Sequence, residues 1–177
     1  MNPEFKGFIY VVQNMDKETD RGMVLILSGF LEEVLLKAIL AFMVDGTDRK
    51  VLAEGPGAPL GGFSARISIA FALGLITAED SRDLGIVRSI RNDFAHEPGA
   101  SFDREPIKNR CRELAHATEE VTEAKERYRI ACIGLIMILL RRTTMFTRGR
   151  RQPLDPKYGL VWEDAPAEAA ASAMRIS

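Results

Sequence analysis

The stretch from about Thr19 to Met43 is crowded with leucine, isoleucine, valine and methionine, and its interior charges are Glu32, Glu33 and Lys37. A helix with so narrow a polar strip must be covered over most of its circumference, which predicts a central helix with other elements packed around it. The chain has 177 residues, enough for one domain with a substantial core. Its 46% hydrophobic and 28% charged residues are ordinary for a globular protein and far from a disordered composition.

Asp45-Gly46-Thr47-Asp48 supplies turn chemistry, a short RKVLAEG follows, and GPGAPLGG from Gly55 to Gly62 predicts a connecting loop anchored by Leu60 and Phe63. Ser64 is placed to cap a helix running to about Gly74, with Ile67, Ala70 and Phe71 spaced to face a core. Thr77 followed by Asp80 predicts a capping box, after which Leu84, Val87, Ile90 and Phe94 recur on one helical face. Pro98 disfavours helical geometry at Glu97, so this helix should end near His96. A further helix is expected after Asp103, passing Ile107, Cys111 and Leu114, and Thr118 is placed to cap a last one continuing to about Phe146. No alternating pattern of period two competes. The expected fold is all-α, a single bundle of five to six helices over residues 1–146. Residues 147–177 read as a tail, partly ordered or docked through Leu160, Val161 and Trp162.

Composition narrows the partners. Twenty-four basic residues against twenty-five acidic ones leave a formal charge of -1, so no global field favours nucleic acid or membrane. The longest uncharged apolar run, Ile130 to Leu140, is well short of the roughly 20 residues a membrane-spanning helix requires. The N-terminus has no export-signal pattern, and a cytoplasmic location is expected. Cys111 and Cys132 lack both the spacing of a zinc pair and the density of a disulfide scaffold, and read as reduced core thiols. Neither histidine has a second histidine or a cysteine at ligand spacing, so no metal or cofactor is expected.

The segment RNDFAH, Arg91 to His96, closes the capped helix. Its structural reading is a clasp: a buried arginine needs an acidic partner, and Glu32 and Glu33 of the central helix are candidates for Arg91. His96 in the last turn would complement the helix dipole. Its functional reading is metal-independent RNA cleavage, with His96 moving a proton and Arg91 holding the phosphate. On a continuous helix these two lie about 140° apart, so they converge only if the helix end distorts or a second subunit contributes.

The ordered stretches DRGMVLILSGFLEEVLLKAIL, APLGGFSARISIAFALGLITAED and DLGIVRSIRNDFAHEPGASFD together resemble the bacterial mannitol operon repressor family over roughly Asp20 to Leu114. The resemblance implies an all-helical transcriptional regulator without a recognisable helix-turn-helix, acting through a protein partner. RNDFAH is also similar to the Arg-x4-6-His motif of the HEPN superfamily, whose members include RNA-cleaving toxins and defence nucleases. Carried over, that motif falls on Arg91, Asn92 and His96, and implies an active site formed across a dimer. The first expectation is therefore a non-enzymatic, homodimeric regulator that binds a protein. The alternative is a ribonuclease binding RNA through Arg91, Asn92 and His96.

Other features weigh less. GPGAPLGGF lacks the Gly-Lys-Ser/Thr ending of a phosphate loop and no strand precedes it. Arg66, just inside the next helix, either pairs with an acidic side chain or faces solvent. Arg141, Arg142, Arg148, Arg150 and Arg151 form the only concentrated basic patch, a candidate for sequence-independent phosphate contact that also fits a solvated segment. His116 is expected at the surface or between subunits. Met23, Met43 and Met137 are expected to fill the core. The candidate helices are too apolar to read a DNA groove.

Overall fold

The computed structural model describes residues 8–9, 12–13, 15–44 and 47–148, with side chains to residue 145. Among the described residues a 3-10 turn at Met15–Lys17 leads into six α-helices: α1 Asp20–Phe42, α2 Arg49–Ala53, α3 Phe63–Ala72, α4 Ala78–His96, α5 Glu105–Arg112 and α6 Ala124–Arg148. No strand occurs among the described residues, so the all-α expectation holds. The tail after Arg148, with Leu160, Val161 and Trp162, lies outside the described residues.

Helix α1 is the axis of the bundle, packed against α3, α4 and above all α6. Thr19 caps it by accepting from the Gly22 amide at 3.1 Å. Met23, Val24, Leu27, Leu31, Val34, Leu35, Leu36 and Ile39 are all buried, more than one face of a helix. That breadth is what its sequence demands, because neighbours cover it on several sides. Phe8 extends the cover, its ring 5.6 Å from that of Phe30.

Helix α3 begins at Phe63, not after Ser64. Gly62 is its N-cap and offers no side chain to the first turn, so the cap expected at Ser64 is not made. Its end is a Schellman turn: Gly74 at φ 68° lets the Gly74 amide reach the Phe71 carbonyl and the Leu75 amide the Ala70 carbonyl. Helix α4 then starts with the expected capping box, the Thr77 hydroxyl accepting from the Asp80 amide at 3.1 Å and the Asp80 carboxylate from the Thr77 amide at 2.7 Å. Leu84, Val87, Ile90 and Phe94 are buried as the spacing requires, and the helix ends at His96.

The last helix departs from expectation. It begins at Ala124, and Thr118 lies in the preceding loop. The reason is Arg127, buried on the first turn of α6. Its guanidinium donates to the carbonyls of Cys111, Arg112, Leu114, Thr118 and Val121, at 2.9 to 3.2 Å. All five of its N–H groups are satisfied by backbone. The cation closes the C-terminal carbonyls of α5 and draws residues 113–121 into a loop that a longer α6 would not permit.

Cys111 and Cys132 are buried free thiols, as read from the sequence. Met23 is buried and Met43 packs against the core, but Met137 is 42% exposed on the outer face of α6. No helix among the described residues is long and apolar enough to cross a membrane.

Candidate functional site

The end of α4 is held by apolar, ionic and hydrogen-bonded contacts. Phe94 turns inward onto Phe102, ring centroids 5.0 Å apart, and Phe102 onto Tyr128 of α6 at 5.7 Å. Asp93 pairs with Arg110 of α5, and Glu97 with Arg104. Arg21 of α1 donates to the carbonyl of Glu97 at 2.8 Å, satisfying the helix terminus that Pro98 exposes.

The clasp expected between Arg91 and the α1 glutamates is not formed. Helix α3 packs on both α1 and α4, and its Arg66 meets Glu32 first: Nη1 lies 3.6 Å from the Glu32 carboxylate and donates to the Glu32 carbonyl at 3.1 Å. Arg66 Nε donates to the Leu60 carbonyl at 2.7 Å, tethering the glycine-rich loop. Arg66 thus takes the paired alternative. Glu33 faces another way, toward Arg49 of α2 at 2.9 Å and Lys37 at 3.7 Å.

Arg91 instead lines an open cleft of about 370 Å³ between α3, α4 and α1. Arg88, Arg91 and Asn92 form its α4 wall, at the spacing that places side chains on one flank of a helix. Gly61 and Gly62 with Phe63 and Ser64, the first turn of α3, form the opposite side, and Glu32 closes one end. Among the described residues neither Arg88 nor Arg91 has a carboxylate partner; Arg91 Nη1 bonds only to the Asn92 side-chain oxygen, at 3.2 Å. His96 is exposed and lines no part of this cleft. Because α4 continues unbroken to His96, the imidazole points about 140° away from Arg91 around the helix. One chain does not bring the two together.

The other histidine is the surprise. His116 is not at the surface: it sits in the α5–α6 loop with its ring between two buried α4 carboxylates. Nδ1 is 2.8 Å from Asp83 and Nε2 3.0 Å from Asp80, while the His116 amide donates to Asp83 at 2.9 Å. Arg142 of α6 completes the group, 2.5 Å from Asp80. Burial alone would raise the Asp80 carboxyl, but the bonds from Arg142 and Thr77 with the Arg142 charge outweigh it and hold the group below its ordinary 3.8. Asp83 is fully buried, and its Oδ1 has no protein partner among the described residues. This cluster joins α4, α6 and the loop that Arg127 shapes. A sequence signal existed: Asp80 and Asp83 fall on the same helical stripe as Leu84, Val87 and Ile90.

The basic patch at the end of α6 is thereby reduced. Arg142, offered as a phosphate contact, is committed to Asp80 because a buried carboxylate requires a cation. Arg141 is exposed. The Arg148 side chain and all of Arg150 and Arg151 lie outside the described residues. Comparison with protein-family models, curated proteins and solved structures gives no match.

Proposed function

We infer that this chain is a non-enzymatic regulator of the kind the mannitol operon repressor resemblance implies, a cytoplasmic helical bundle that works as a homodimer by binding a protein. The carrying observation is the unbroken course of α4 through His96, which leaves the proton-transfer group exposed and the arginine in a separate cleft. General acid–base cleavage requires the two to meet on one phosphate. The faces that α1 and α4 bury in the core are not available to a DNA groove.

A second reading keeps a foothold. Arg91 lacks a carboxylate partner among the described residues and His96 is exposed, so a second copy could pair one chain's arginine with the other's histidine in a HEPN-type ribonuclease. Incubating the purified protein with single-stranded RNA and duplex DNA, alongside Arg91→Ala and His96→Ala, separates the readings. The regulator predicts intact RNA and no retained DNA. RNA cleavage lost in both variants, with thermal midpoints near that of the parent, would overturn it.

A further inference from the structure

The cleft beside Arg91 carries more than the absence of a clasp. Two guanidinium groups from successive turns of α4 line it, and neither is neutralised among the described residues. The one carboxylate at its edge, Glu32, is already met by Arg66, so the wall retains the charge of two cations. The larger cleft near the α5–α6 loop, about 560 Å³, differs in this respect. There Arg127 is spent on carbonyls, and Arg82 lies against Glu113.

We propose that the cleft formed by Arg88, Arg91, Asn92 and Ser64 binds the phosphoryl group of a small phosphomonoester. Charge favours this class, since a phosphomonoester carries about -1.5 to -2 at neutral pH and matches two arginines, whereas a carboxylate carries only about -1. Donor number favours it too. Two planar forks, an amide and a hydroxyl offer more N–H and O–H groups than a carboxylate accepts, and suit three terminal oxygens. The uncapped first turn of α3 adds a favourable field on the facing side. A volume of about 370 Å³ lies at the small end of the range for small-molecule sites.

The surroundings argue against a nucleic-acid strand. A strand needs a continuing track of free cations, and two cations beyond the cleft, Lys37 of α1 and Arg49 of α2, are paired with Glu33. The site goes beyond the proposed regulatory role by supplying a place for a small effector, and it stands or falls separately from protein partnership.

Calorimetric titration and thermal shift with inorganic phosphate and glycerol phosphate test this, using acetate at matched ionic strength as the carboxylate arm. Because phosphate stabilises most proteins by exclusion from their surfaces, the readout is the difference between the parent and the double variant Arg88→Gln/Arg91→Gln. The parent is expected to bind both phosphates saturably and acetate at least about tenfold more weakly, with each single glutamine variant losing about tenfold or more. Arg141→Gln should leave binding unchanged. Arg91→Lys, which preserves charge but not the fork, should fall between and serves if a glutamine variant fails to fold. Equal stabilisation of parent and double variant, or no saturable binding, would refute the site. So would a 5′-hydroxyl RNA oligonucleotide that displaces glycerol phosphate at comparable concentration, by assigning the recess to phosphodiesters.

Discussion

Arg127 gives the sharpest test of how this bundle is held. Replacing it by methionine keeps much of the aliphatic stem and removes the donor to five backbone carbonyls. The bonds to Cys111 and Leu114 are buried, whereas those to Arg112, Thr118 and Val121 are partly buried, where water can substitute. Each buried acceptor left without a donor costs about 1–3 kcal/mol, so the two together cost about 4 kcal/mol. That is a large part of the roughly 5–15 kcal/mol a domain has in total, and for a chain of this size corresponds to a midpoint about 8–16 °C lower. Urea unfolding followed by far-ultraviolet circular dichroism gives the free energy, and hydrogen exchange locates it, with protection lost first over residues 113–123. Arg127→Lys should recover less than half of the loss, because one ammonium cannot reproduce five fixed donors. Arg21→Ala, which removes an exposed bond to the Glu97 carbonyl, should cost less than about 1 kcal/mol. An Arg127→Met protein no less stable than Arg21→Ala, or exchange spread evenly over the bundle, would refute the role assigned to the carbonyl ring.

Asp80 predicts an acid-side dependence of stability. Its carboxyl is depressed in the folded chain, so its contribution is complete above the unfolded value near 3.8 and is lost as pH falls through the lower folded value. Asp80→Asn should cost about 2 kcal/mol at neutral pH, and the gap from the parent should close below that point; a gap independent of pH would refute the assignment. The thiols should be inert while the bundle is folded. Burial, opposed by Arg127 and Arg110, pushes Cys111 up to about 12, and burial raises Cys132 as well. At ~pH 8 roughly one Cys111 thiol in ten thousand is ionised, so a disulfide reagent should label neither cysteine until denaturant is added, and prompt labelling of the native protein would contradict this.

The helices and their boundaries were legible where local rules set them. Thr77 and Asp80 close a capping box through contacts three residues apart, and Pro98 ends α4 by its own stereochemistry, so no distant partner is needed to foresee either. The same holds for the buried stripe of Leu84, Val87, Ile90 and Phe94, because helical periodicity alone determines which side chains share a face. Where local signals competed with distant ones, they lost. Thr118 is a good cap residue, yet the carbonyls around it serve Arg127, and α6 starts at Ala124.

Charge pairing was decided only by the tertiary structure. The sequence supplied Glu32, Glu33, Arg66, Arg88 and Arg91 as charges on buried helices, and burial requires that most be compensated. Which cation meets which carboxylate depends on the packing of α3 between α1 and α4, a long-range outcome that places Arg66 against Glu32 and leaves Arg91 with Arg88 in a cleft. The packing of α5 and α6 against α4 likewise brings His116, far along the chain, between Asp80 and Asp83. Composition and period thus determined an all-helical core, while the placement of its charges, and so of any chemistry, came from how the helices cross.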